Sequence, residues 1–129
     1  MRNAAVLFLM AMILVLCGGV QAATPQPAGT AEVQQLRSAY RTLEVADHDY
    51  HGHRIKAMHA LHRACKLLGS EIRGDGKGHQ SQPVSDAELT QAQTTIHGVL
   101  QGNVVAGQPK VAKLLEKAVE EISLALKVR

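Results

Sequence analysis

Residues 109–126 read PKVAKLLEKAVEEISLAL, and the apolar members Val111, Leu114, Leu115, Ala118, Ile122 and Leu126 recur at intervals of three and four. That spacing follows the helical turn and not the alternation of a strand. Lys110, Lys113, Glu116, Lys117, Glu120 and Glu121 fill the opposite side, so one face is dry and the other wet. Pro109 stands where the first helical turn needs no amide hydrogen. A lone helix of this length is marginal in water, so its dry face requires other helices to cover it.

Working back along the chain, the same period recurs three times. Leu89, Ala92, Ile96, Val99 and Leu100 mark a helix ending near Gly102, with Ser85 and Glu88 at capping-box spacing before it. Val33, Leu36, Tyr40 and Leu43, widened by Ala39 and Ala46, mark the first helix. Ile55, Met58, Leu61, Cys65 and Leu68 mark the second, which runs from about Tyr50 or Arg54 and stops at Gly69, a residue suited to a left-handed cap. Residues 70–84 hold Gly74, Gly76, Gly78 and Pro83 without apolar period and read as a flexible linker. Their Gly-Asp-Gly-Lys-Gly-His run lacks the spacing of a phosphate loop.

The expected fold is therefore all-α, a four-helix up-down-up-down bundle over residues 30–129 built from hairpins at about 30–69 and 85–128. Leu36, Ala39, Leu43 and Ala46 correspond to Leu89, Ala92, Ile96 and Val99, a faint trace of a tandem repeat. The alanines in these stripes let helices approach closely.

The first residues carry an address. Arg2 precedes an apolar run over residues 4–16, Gly18 and Gly19 interrupt it, and Val20 and Ala22 satisfy the three-then-one spacing of signal peptidase. Residues 1–22 are read as a cleaved signal peptide and 23–29 as a lead-in, which makes the protein exported, periplasmic or secreted. The run is about 13 residues against about 20 for a spanning helix, so no membrane span is expected after cleavage. Cys17 follows Leu16, whereas lipid attachment wants a small residue there.

Removing 22 residues from 129 leaves about 107, enough for one domain. Cys65 is then the one cysteine left and cannot form an intrachain disulfide; on the apolar stripe of the second helix it is expected to be buried. The formal charge of +3 is spread over interspersed acids and bases, which does not make a nucleic-acid footprint. No nucleic-acid partner is expected, and a protein partner stays open.

Residues 47–54 read DHDYHGHR and gather three of the seven histidines with two aspartates and a tyrosine. In an up-down-up-down bundle His97 would lie near the same end. Asp47, His48, Asp49, His51, His53 and His97 then form a candidate metal set whose imidazoles and carboxylates suit zinc, copper or nickel. The same residues also suit a purely structural role. Asp47 or Asp49 would cap the second helix, His51, His53 and Arg54 would serve as surface or capping partners, and Tyr50 would fold over the end and bond backbone. Proton sensing by clustered histidines is a third possibility. His62 with Met58 and Cys65 is another conceivable ligand set. There is no Cys-x-x-Cys-His for haem attachment and no nucleophile with a recognisable base, so an enzyme is not expected.

The segment from Tyr40 to Leu68, above all ADHDYHGHRIKAM at residues 46–58, resembles one found in small exported helical proteins of bacteria that have no assigned activity. The resemblance implies a shared hairpin and no particular chemistry. Leu89-Thr90-Gln91-Ala92-Gln93 is similar to the Leu-Thr-x-x-Gln signature of the periplasmic stress chaperones related to Spy and CpxP, which implies chaperone-like activity as a minor alternative. This chain departs from those proteins in its scarcity of methionine. The function expected is that of a non-enzymatic binding or structural module, with divalent transition-metal binding as the alternative.

Overall fold

The computed structural model describes residues 29–46, 50–74 and 81–128, and these are all helical or connecting. The helices are α1 (Thr30–Val45), α2 (His53–Leu67), α3 (Gln82–Leu100), α4 (Asn103–Ala106) and α5 (Pro109–Ala125). None among the described residues is long and apolar enough to cross a membrane. The expected signal peptide, and the lead-in apart from Gly29, lie outside the described residues.

Local chemistry accounts for most of the helix ends. At the start of α1 the Glu32 carboxylate accepts from the Gly29 amide at 3.1 Å, placing negative charge at the positive end of the helix. Helix α2 closes in a Schellman motif: Gly69 takes φ 75°, its amide bonds Lys66 O, and the Ser70 amide bonds Cys65 O at 2.9 Å. Pro109 opens α5 as expected. Helix α3 begins earlier than its expected capping box, at Gln82, because Pro83 is tolerated in a first turn and the helix extends back through it. Ser85 is consequently inside the helix and fully buried, and it does not cap. The connection between the last two long helices contains the single turn α4, which had no signature in the sequence.

The expected stripes form the core. Leu36, Ala39, Leu43, Leu61, Ala64, Leu89, Ala92, Ile96, Leu115, Ala118 and Ile122 are all buried, and Cys65 with them. Burial pushes the Cys65 thiol up to about 11, so it is a protonated small hydrophobe at neutral pH. Ile55 departs from expectation, being 39% exposed. Arg54, one residue earlier, is the one that turns inward.

The helix order also departs from up-down-up-down. Helix α1 packs mainly on α3 and α2 mainly on α5, with α1–α2 and α3–α5 contacts closing the ring. Tyr50, just beyond α1, bonds Asp86 in the first turns of α3, while Gly29 and Glu32 at the other end of α1 lie beside Val104 and Gly102. Helices α1 and α3 are thus antiparallel, and α2 and α3 run the same way. The two hairpins pack head to tail, with their turns at opposite ends.

This order requires the chain to travel back along the helices between α2 and α3. Its described part does so: Arg37 donates to Ser70 Oγ at 2.6 Å, Ile72 is buried, and a side chain at Gly74 would collide with Glu44 and Tyr40 further along α1. Residues 68–81 could reach about 45 Å if extended, against about 24 Å for the length of α1. A connection of that length has no need to be a turn.

Candidate functional site

The α1–α2 turn is shaped by two successive left-handed residues, His51 at φ 50° and Gly52 at φ 78°. The His53 amide bonds Tyr50 O at 2.9 Å, closing a four-residue turn of the type that needs positive φ at both central positions. Gly52 adopts this at no steric cost, and it is also the N-cap of α2. The capping role expected of Asp47 or Asp49 at α2 is therefore filled by Gly52; both aspartates, and His48, lie outside the described residues.

The side chains that follow each reach a different helix. Tyr50 is buried, and its hydroxyl donates to Asp86 Oδ1 of α3 at 2.7 Å instead of to backbone. Burial first, then the bond to Asp86 and its charge, raise the Tyr50 pKa well above the ordinary phenol value. The Ser85 hydroxyl, and after it the Arg54 charge, act against that rise. Ser85 Oγ is misplaced for a well-formed bond, so its pull is weak beside that of Asp86.

His53 Nδ1 lies 2.7 Å from Glu121 Oε2 of α5. A carboxylate only accepts, so Nδ1 carries the hydrogen. Arg54, 7% exposed, donates through one terminal nitrogen to Leu43 O at 2.9 Å and Glu44 O at 3.2 Å, with Met58 Sδ at 3.7 Å. These carbonyls belong to the last turn of α1, which has no basic residue of its own. Arg54 thus supplies both the donors and the positive charge that a helix C-terminus lacks. Through Tyr50, His53 and Arg54, one turn is fastened to α3, α5 and α1.

The candidate metal residues are only partly brought together. His51 and His53 share the turn, with His51 exposed and His53 half-buried. His97 is exposed on α3, eleven residues beyond Asp86 and hence about 16 Å along the helix. It sits toward the opposite end because the hairpins pack head to tail. No group of three or more His, Cys, Asp or Glu able to hold a metal occurs among the described residues. The set of Met58, His62 and Cys65 fails too: Cys65 is a fully buried thiol, and the Met58 sulfur faces Arg54.

Sequence reading missed Asp86 and Glu121 as parts of this end, and placed Arg54 here only as a surface or capping partner. Its burial was detectable, because it precedes Met58, Leu61 and Cys65 in the buried register, where an arginine must find partners. Asp86 and Glu121 depend on the helix order and carried no local signal. Comparison of the chain with protein-family models, with curated proteins and with solved structures gives no match.

Proposed function

We propose that this is an exported, non-enzymatic helical module that acts by binding, and that residues 50–54 are its structural clasp. Export would follow cleavage after Ala22 or Ala23. What supports the reading is that Tyr50, His53 and Arg54 are each committed to a different helix of the fold. Groups held in this way secure the relative placement of α1, α3 and α5, and a ligand at the turn would have to compete with those bonds.

One observation favours metal binding as a second reading. A histidine whose Nδ1 is fixed by a carboxylate presents Nε2 in a set direction, as in carboxylate–histidine–metal arrangements, and His53 is fixed by Glu121 in this way. Calorimetric titration of the metal-stripped, untagged chain from Ala23 onward with zinc, copper and nickel separates the two. The clasp reading expects no stoichiometric binding tighter than about micromolar, or about 8 kcal/mol. Binding of that strength, lost in a His51→Ala/His53→Ala variant that keeps its helical circular dichroism, would establish the metal site instead.

A further inference from the structure

Helix α2 contains Arg54, Lys56, Arg63 and Lys66 together with His53, His59 and His62, and no aspartate or glutamate. His53 and Arg54 are used within the fold, whereas Lys56, His59, Arg63 and Lys66 are exposed on the outer face. Soluble helix surfaces usually interleave the two signs, because opposite charges one turn apart stabilise a helix and like charges destabilise it. Where α5 meets this face it adds a further lysine and no carboxylate. Lys56, His59 and Arg63 of α2 and Lys117 of α5 line one shallow cleft of about 140 Å³, together with Ala60 and Leu114.

No carboxylate lines that cleft. The ion pairs between described residues, His53–Glu121 and Arg73–Glu71, include none of its cations. Glu121, one turn beyond Lys117, is engaged by His53; Glu116 and Glu120 are exposed on α5 but do not line the cleft, and Lys110 and Lys113 lie further along the same helix. Cations gathered in this way repel one another unless an anion from outside lies among them. The face also has apolar ends: Ile55 is 39% exposed and Leu67 is 51% exposed, about 18 Å apart along the helix.

We propose that this face of α2, with Lys117 of α5, docks on an anionic phospholipid surface. Lipid phosphates supply the missing counter-charge. Lysine and arginine reach them on long apolar stems, and Ile55 and Leu67 enter the boundary between headgroups and acyl chains. A soluble polyanion would satisfy the cations and leave both aliphatic side chains in water. The combination of charge and exposed aliphatics therefore selects a lipid surface. Docking is peripheral and reversible, and it leaves the hairpin clasp untouched. This inference rests on the reading of the protein as a binding module and names its partner.

The test is co-sedimentation of the chain from Ala23 onward with phosphatidylcholine vesicles that contain or lack phosphatidylglycerol, at low and high salt. Binding should require phosphatidylglycerol and weaken as salt rises. Lys56→Gln/Arg63→Gln/Lys117→Gln should weaken it about a hundredfold, since each cation near such a surface contributes roughly a factor of five. Arg41→Gln/Arg73→Gln/Lys127→Gln, with the same change in net charge, should stay within about tenfold of the parent. Ile55→Ser/Leu67→Ser should lose about tenfold on vesicles while retention on a polyphosphate matrix is unchanged. Equal binding to both vesicle types, or equal loss in the two charge variants, overturns the proposal. Retention on polyphosphate without vesicle binding overturns the lipid assignment but keeps the face as a binding surface, and failure on both removes the face. The clasp and metal readings of the turn are judged separately, by the metal titration.

Discussion

Replacing Arg54 by methionine keeps most of the side-chain volume and removes the guanidinium donors directed at Leu43 O and Glu44 O. Two bonds to Leu43 O and Glu44 O are lost, both from a charged group. Bonds of that kind contribute about 1.5–3 kcal/mol each, while removing a buried charge returns part of its desolvation cost. The net loss should be roughly 2–4 kcal/mol, a large fraction of the about 5–15 kcal/mol that holds a small domain folded. Urea unfolding followed by far-ultraviolet circular dichroism reads this directly. With a slope of about 1–2 kcal/mol per molar urea, the midpoint should fall by at least about 1 M. Arg54→Lys should recover part of the loss, because an ammonium keeps the charge but not the fork. Arg41→Met, on the exposed side of α1, should stay within about 0.5 kcal/mol of the parent. A loss below about 1 kcal/mol for Arg54→Met would refute the assignment of Arg54 as the cap of α1.

Tyr50→Phe should cost about 1.5–3 kcal/mol at neutral pH by leaving Asp86 without its phenol donor, as measured by urea unfolding. Because folding raises the Tyr50 pKa, its contribution is complete below the unfolded value near 10 and declines at higher pH; that alkaline loss should be absent in the phenylalanine variant. Gly52→Ala should cost about 1–2 kcal/mol with little change in the refolded structure, since a Cβ there meets nothing within 4 Å and the penalty comes from φ 78°. Cys65 should resist thiol reagents at neutral pH until the chain unfolds. Its share of stability is complete below pH 9 and is lost between pH 9 and about 11, by about 2–3 kcal/mol, a slope that Cys65→Ala should remove from the pH dependence of unfolding.

Period and punctuation made the helices readable. Leu36, Leu43, Leu61, Leu89, Ile96, Leu115 and Ile122 lie in the core as their spacing required, and Gly69 and Pro109 mark the ends that their backbone chemistry dictates. The order of the helices was not readable, because amphipathic stripes state that a face is covered and not by which neighbour. Residues 70–84 illustrate the difficulty: lacking a period, they read as slack, yet Ser70 and Ile72 fasten the return of the chain along α1. The error passed to the site. Placing both turns at one end drew His97 toward His53, whereas head-to-tail hairpins bring Asp86 and Glu121 there instead. The concentration of polar residues at 47–54 did locate the place where the helices are joined. Its chemistry was legible only once the partners from α3 and α5 were known.

Because Tyr50, His53 and Arg54 bond separate helices, they should couple energetically to those helices. Double-mutant cycles on Tyr50→Phe with Asp86→Asn, and on His53→Ala with Glu121→Gln, measure that coupling without reference to any ligand. The expected interaction energies are about 1–3 kcal/mol for Tyr50 with Asp86 and at least about 0.5 kcal/mol for His53 with Glu121. Additive losses in both cycles, within about 0.3 kcal/mol, would mean that the turn does not join the hairpins and is no clasp.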